Sequence, residues 1–316
     1  MSILALGAIE VSPLAIKLLN EATESADSIL QLHADGHWEA EGPEALAHNL
    51  FCAQNGLLVA AEYELTSGAK ILVVTAADRS LTRLQASEEF QPHEVSIAEG
   101  YGVWASSYDT TRNALIAVEE PVVDRLLAPH SVDVALDLGT GTGRHLQRLG
   151  PSASMVIGLD ISRPMLEKAR HKGGPPLGTL LLAEADLSSP LPIAPRFVGL
   201  ILCSLVLSHV DRIGVLFHEA RRLQPVGGVF ILSMFHAEAQ ALGWRTSLQR
   251  PDGVYRLPNF SHSDDDLRAG LSQAGFEIEH QSVLRVADVP DGYLPPTTVK
   301  RLADTALCVV MSARRR

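Results

Sequence analysis

At 316 residues the chain is longer than one ordinary domain, so about two units are expected. Its 46% hydrophobic and 20% charged content supplies a core and excludes wholesale disorder. A net charge of −11 argues against a nucleic-acid partner, and the longest apolar run, Val198 to Leu207, is too short to span a membrane. The three cysteines, Cys52, Cys203 and Cys308, are scattered and odd in number, which reads as reduced and intracellular. The N-terminus lacks a basic region, and Glu10 interrupts its short apolar run, so no signal peptide is expected and the location reads as cytoplasmic.

Taken in chain order, the first region carries Leu14, Leu18 and Leu19 at helical spacing, which predicts a helix from Pro13 to about Leu32. A turn at Asp35-Gly36 and a helix over Pro43–Gln54 follow. Two strand-like runs, Leu57–Leu65 and Lys70–Thr75, are joined by Thr66-Ser-Gly68, a hairpin signal. Residues 1–90 thus read as a small α+β accessory domain. The polar stretch Ser87–Glu99 reads as a linker to a second domain, 96–316.

From Tyr101 onward, strands alternate with helices. The strand-like runs are Val134–Leu138, Met155–Asp160, Thr179–Ala183, Phe197–Ser204, Gly228–Phe235, Phe276–Val286 and Ala306–Ser312. This alternation predicts an α/β domain: a parallel sheet covered on both faces, with ligands beyond the carboxyl ends of its strands. Val134-Ala-Leu-Asp137-Leu-Gly139-Thr-Gly141-Thr-Gly143-Arg144 runs from an apolar strand through an acid into three alternating glycines. Glycine tolerates positive φ and lets a ligand approach without meeting a Cβ, and the next helix turns its free N–H groups toward that ligand. A second strand ends in Asp160, 17 residues after Gly143, where doubly wound folds grip a ribose diol. A dinucleotide loop needs glycine or alanine five residues after its first glycine, yet that position is Arg144 or Leu146, depending on register. Asp137, two residues before the first glycine, suits a positively charged ligand instead of a pyrophosphate.

This D-x-G-x-G-x-G pattern resembles motif I of the class I S-adenosylmethionine-dependent methyltransferases, and over about Tyr101 to Ser312 the chain is similar to the UbiE-like group. Tyr101-Gly-Val-Trp104-Ala-Ser-Ser-Tyr108-Asp109 resembles the group's opening helix, whose aromatics cover the methionine end of the cofactor. Ala183-Glu-Ala-Asp186-Leu187 matches the third-strand position, where a carboxylate meets the adenine. Cys203-Ser204-Leu-Val-Leu-Ser-His209 resembles motif IV, and Arg222-Leu-Gln-Pro-Val-Gly-Gly228 resembles the helix-to-strand turn, with Val226 inserted before the glycines. The resemblance implies a doubly wound, Rossmann-like, seven-stranded and mostly parallel sheet. It implies S-adenosylmethionine as cofactor, S-adenosylhomocysteine as product, and methyl transfer to O, N or C of a small-molecule acceptor. It places cofactor contacts at Tyr101, Trp104, Tyr108, Asp137, Gly139, Thr140, Gly141, Gly143, Asp160, Ile161, Met165, Asp186, Leu187, Ser204 and His209. Other readings of the same residues are simpler: a turn cap for Asp137, an Asx turn for Asp186, and core aromatics for Trp104 and Tyr108.

Methyl transfer needs alignment and a dry pocket, and a base only where the nucleophile's pKa demands one. The candidate bases are His236, after the fifth strand, and His262, before a helix. No metal is expected, since His33 and His37 flank a turn and share no helix face. Residues 236–262 read as a substrate-covering insertion, because a loop this long in a compact domain is usually functional. Ser263 and Asp266 form a capping box, which accounts for the acids Asp264–Asp266. The accessory domain suits closure over the site, homodimerisation or recruitment of a partner, and the sequence does not choose among them. A catalytically silent S-adenosylmethionine sensor or assembly subunit is the alternative in another class; a dehydrogenase is disfavoured by the failed glycine register.

Overall fold

The computed structural model describes residues 2–38, 42–150, 153–173 and 178–316. The chain forms two compact units. One holds Met1–Val95, Thr110–Arg112 and Ser247–Arg256; the other holds Ser96–Asp109, Asn113–Thr246 and Leu257–Arg316.

The first unit begins with β1 (Ala8–Val11), α1 (Pro13–Ala22), α2 (Ala26–Asp35) and α3 (Pro43–Gln54). The expected single helix from Pro13 to Leu32 is therefore two. Thr23 takes a left-handed conformation (φ 59°) and closes α1, and Ser25 caps α2 by accepting the Ser28 N–H at 3.2 Å. Next come β2 (Val59–Glu64), β3 (Lys70–Thr75), β4 (Leu81–Ala86) and β5 (Pro92–Glu94). The hairpin β2–β3 is present as expected, inside a sheet of order β1-β4-β3-β2. Ile71, Val73 and Leu84 pack with Leu19, Ile29 and Trp38 as its core. A buried polar chain crosses the same sheet: Tyr63 Oη and Thr75 Oγ1 each lie 3.1 Å from a nitrogen of His33, and Thr75 lies 2.8 Å from Thr82. Burial holds the His33 imidazole down at a pKa of about 4. The expected linker Ser87–Glu99 is structured: a 3-10 turn at Ser87–Glu89, then β5, then the next helix.

The second unit holds α4 (Ile97–Trp104), α5 (Ala114–Leu127), β6 (Val132–Leu138), α6 (Leu146–Leu149), β7 (Ala153–Asp160), α7 (Arg163–Lys172), β8 (Thr179–Glu184), β9 (Leu200–Cys203), α8 (Ile213–Leu223), β10 (Val229–Phe235) and α9 (Ala237–Ala241). The chain then supplies the hairpin β11 (Ser247–Arg250) and β12 (Gly253–Arg256) to the first unit, where β12 pairs in parallel with β5. The loop expected over 236–262 is thus a short helix and a hairpin. The second unit resumes with α10 (Asp264–Gln273), β13 (Phe276–Arg285), α11 (Pro296–Leu302) and β14 (Ala306–Arg315).

Its seven strands lie in the order β13-β14-β10-β9-β6-β7-β8, with only β14 antiparallel to its neighbours. This is the doubly wound α/β sheet expected from the alternation. Side chains alternate across it: Leu136, Leu138 and Ile201 meet Phe217 and Leu267 on one face. Ala135, Leu200 and Leu202 meet Val118, Val122 and Leu149 on the other. Both faces are dry, which is why these strands read as continuous apolar runs. The run expected over Phe197–Ser204 narrows to β9, and Phe197 stays 46% exposed. From β6 the chain proceeds through β7 and β8 to one side and through β9 and β10 to the other, so the topological switch lies between β6 and β9. No helix among the described residues is long and apolar enough to cross a membrane.

Candidate functional site

At the carboxyl end of β6 the chain enters the glycine loop, where Gly139, Gly141 and Gly143 all have positive φ (69°, 56° and 80°). They differ in what surrounds them. A Cβ on Gly139 would meet Val206 Cγ2 at 2.3 Å, and one on Gly143 would meet Leu146 Cδ1 at 2.7 Å. A Cβ on Gly141 would meet nothing within 4 Å. Two glycines thus serve close packing, while the middle one opens on free space. The cleft there is lined by Tyr108, Asp137, Gly139, Thr140, Gly141, Thr142, Arg144, His145 and Ser204.

Two carboxylates organise the loop. Asp137, 1% exposed, accepts the Thr140 hydroxyl at 2.7 Å, and burial pushes its pKa up to about 7. Asp160, at the tip of β7, accepts the Gly141 N–H on Oδ2 and the Ser162 N–H on Oδ1, each at 2.8 Å. Burial raises its pKa as well, against the backbone N–H groups of Ser162, Gly141 and Ile161. Each oxygen of Asp160 keeps a further lone pair.

Beneath the cleft lies a charged network that the sequence did not announce. Glu119 of α5, fully buried, accepts from Arg144 Nη1 at 2.9 Å, from the Ser233 hydroxyl at 2.8 Å, and from the Ser204 hydroxyl. Arg144 Nη2 donates to Ser204 Oγ at 2.8 Å, and His145 Nε2 lies 3.2 Å from the same oxygen. Burial, with Arg144 and Arg148 nearby, holds the His145 imidazole well below its ordinary pKa. A signal for Glu119 was available: it shares helical spacing with Val122 and Val123, both buried. Arg144 had appeared only as the residue that spoils a dinucleotide register. At the edge of the cleft, Asp109 Oδ1 accepts from Thr142 Oγ1 and from Lys172 Nζ, both at 2.7 Å, which ties the segment after α4 to the loop.

Tyr101, Trp104, Tyr108 and His209 form one aromatic cluster. Trp104 stacks on Tyr101 with centroids 5.9 Å apart and meets Tyr108 edge-on at 5.1 Å, and His209 meets Tyr101 edge-on at 5.4 Å. The Pro258 carbonyl, 2.8 Å from His209 Nδ1, can only accept, so Nδ1 carries the proton and Nε2 accepts the Tyr101 hydroxyl at 2.9 Å. Burial keeps this imidazole below its ordinary pKa and both Tyr101 and Tyr108 above theirs.

The remaining expected residues are spread more widely. Met165 is buried at the start of α7, beside the Asp160-Ile161-Ser162 turn. Asp186 is exposed and accepts the Ser188 N–H at 2.9 Å, an Asx turn, and Leu187 packs against the core. Neither His236 nor His262 lines the cleft. His236 caps α9, its Nδ1 accepting the Glu238 N–H at 3.1 Å while Nε2 lies 3.2 Å from Asp264. His262 donates from Nε2 to the Val210 carbonyl at 2.8 Å. Together with Phe260 N–H to Ser208 O and Pro258 O to His209, that bond pins 258–262 along the segment after β9. Among the described residues, no group of three or more His, Cys, Asp or Glu side chains gathers as metal ligands would.

A family model described as a methyltransferase domain matches residues 136–232, from mid-β6 to mid-β10. An uncharacterized methyltransferase of Emericella nidulans is 31% identical over 221 residues, 58% of this chain and 77% of that relative. The biotin biosynthesis bifunctional protein BioHC of Cellvibrio japonicus is 32% identical over 187 residues, 57% of this chain but 35% of the relative. Among solved structures, an S-adenosylmethionine-dependent methyltransferase from Mesorhizobium loti superposes with a TM-score of 0.51 at 24% identity, over 64% of this chain and all of its own (100%). DhpI, solved as its complex with SAH, superposes with a TM-score of 0.51 at 21% identity over 69% of this chain and 94% of its own. At these identities the superpositions speak to the fold.

Proposed function

The chain belongs to the class I S-adenosylmethionine-dependent methyltransferases, and on that premise we propose that it methylates an oxygen, nitrogen or carbon of a small-molecule acceptor. The observation that carries the cofactor reading is Gly141, open on its Cβ side between two buried carboxylates, while the flanking glycines are filled. The donor and acceptor set fits the group. Asp160 has lone pairs for a ribose diol, and Asp137 offers a carboxylate whose ionisation a nearby cation favours. Bound there, the cofactor supplies an electrophilic methyl on a sulfonium, open to in-line displacement.

The protein's share of the chemistry is positioning and exclusion of water. Gly139, Thr140 and Gly141 present the loop backbone, Tyr108 and Ser204 line the cleft beside it, and to Tyr101, Trp104 and His209, which cluster with Tyr108, we assign the cover of the methionine end. Alignment in a dry pocket can supply on the order of 7–11 kcal/mol of the barrier. Of the two candidate bases, His262 is favoured for an acceptor that must lose a proton. Its Nε2–H is committed to Val210, which leaves Nδ1 as an accepting nitrogen. His236 has both nitrogens engaged. We assign acceptor recognition to 236–246 and 257–262, because 258–262 lies along residues 208–210. A cytoplasmic location and a homodimer formed through the N-terminal unit belong to the same reading.

The test is calorimetric titration with S-adenosylmethionine, S-adenosylhomocysteine and NAD, followed by an acceptor screen that reads S-adenosylhomocysteine release. Binding of both sulfur ligands but not NAD, with turnover on some acceptor, is the expected result. Binding with no turnover on any acceptor would favour a silent sensor, and NAD binding would overturn the reading.

A further inference from the structure

The hydrogen-bond valences around Ser204 fix the state of a neighbouring side chain. A serine hydroxyl has one proton and two lone pairs. The proton goes to Glu119, an ionised carboxylate paired with Arg144 that can only accept. One lone pair receives Arg144 Nη2, which can only donate. His145 Nε2, 3.2 Å away, must therefore donate into the second lone pair. Neutral histidine protonated at Nε2 has a bare lone pair on Nδ1. That Nδ1 is buried in a residue only 3% exposed, and it has no hydrogen-bond partner among the described residues. An orphaned buried acceptor in the lining of a cleft is a place held for a donor.

The rest of the lining says which donor. Asp137 is a second acceptor in the same cleft, and the cation beside it, Arg144, is committed to Glu119 and Ser204. A group made only of donors, carrying positive charge, complements this end. Asp160 lies at the tip of β7 and Ser204 just beyond β9, with β6 between them. Two strand spacings separate them, about 10 Å, a span that matches a ligand with a diol at one end and an ammonium at the other. We propose that His145 Nδ1 accepts a hydrogen bond from the α-ammonium at the methionine end of the cofactor, so that His145 selects for the amino-acid portion of the ligand. This rests on the cofactor reading above. His145 acts here as a neutral acceptor and takes no proton.

The experiment titrates wild type and His145→Gln with S-adenosylhomocysteine and with its deamino analogue. Glutamine can keep a donor toward Ser204 but offers nothing at the Nδ1 position. The preference of wild type for the amino ligand is expected to shrink about tenfold or more in the variant, through loss of the amino ligand alone. His145→Asn, which returns an acceptor near the Nδ1 position, is expected to recover part of that preference. Nitrogen NMR of labelled histidine in the unmodified protein supplies a second readout. The Nδ1 resonance of His145 moves on adding S-adenosylhomocysteine and stays in place with the deamino analogue. Equal loss of both ligands in His145→Gln, or an unmoved Nδ1 resonance in a protein that binds S-adenosylhomocysteine, overturns this inference alone. A wild type that binds neither ligand overturns the cofactor reading and this inference with it.

Discussion

The carboxylate of Asp160 accepts the backbone N–H of Gly141 at 2.8 Å, so the acid that ends β7 also holds the loop that follows β6. A ribose gripped by Asp160 would bear on the glycine loop through that one bond.

Replacing Asp160 with alanine removes the acceptor for Gly141 and Ser162 together with the proposed ribose contact. Charge-assisted bonds are worth about 1.5–3 kcal/mol each, so the dissociation constant for S-adenosylhomocysteine should rise about tenfold or more, measured by calorimetry. The melting temperature of the ligand-free variant should fall as well, because two backbone donors lose their partner.

The glycines should separate cleanly. Gly141→Ala meets no atoms and carries only the strain of positive φ, about 1–2 kcal/mol. It should fold while binding cofactor less well, because its methyl enters the cleft. Gly139→Ala drives a Cβ to 2.3 Å from Val206, and overpacking of this kind adds about 1–3 kcal/mol to the strain. Thermal melts of the two variants should rank them in that order.

The Asp137 carboxyl has a pKa near 7, raised by burial from an ordinary 3.8. The native state then holds a proton that the unfolded chain has released, so this group's contribution to stability falls as pH rises between those two values. The ligand-free wild type should lose stability relative to Asp137→Asn from about pH 4 to about pH 7. A cationic ligand reverses the preference and favours the carboxylate. Binding of S-adenosylmethionine should therefore tighten as pH rises through 7 and release protons, which calorimetry in buffers of different ionisation enthalpy measures.

Arg144→Met leaves Glu119 buried without its counterion, a defect of about 3–5 kcal/mol. Adding Glu119→Gln to the same chain should recover a substantial part of that loss, since the uncompensated charge is gone. Urea titration of wild type, both single variants and the double variant gives the coupling directly.

The second unit was legible because both faces of its sheet are buried: long apolar runs such as Val134–Leu138 admit few assignments. The first unit was less so. β1 is mostly exposed, and β4 buries Thr82 and Gln85, so its pattern lacked the apolar alternation that marks a strand. The break at Thr23 occurs without glycine or proline, and Ser25 as a cap was its one local mark. Within the site, the glycine loop and the two acids announce themselves by spacing along a single stretch of chain. Glu119, Arg144, Ser204 and Ser233 become partners only through the sheet, and each alone looks like an ordinary polar residue. His236 and His262 stood out because histidine is chemically versatile; His236 caps a helix through Nδ1, while His262 commits only its Nε2–H, to the Val210 carbonyl.

The pairing of β5 with β12 sets an order on synthesis. Pro92, His93 and Glu94 find their strand partners at Val254, Tyr255 and Arg256, and Gln85 donates to the Pro251 carbonyl at 3.1 Å. A ribosome that has released residues 1–95 has made the four-stranded sheet of the first unit but not the strands its last segment pairs with. Most of the methyltransferase unit must be translated before that hairpin emerges. A fragment cut after residue 95 would carry β5 as an unpaired edge, open to other chains. The unit encoded first is completed only after most of the second has been made.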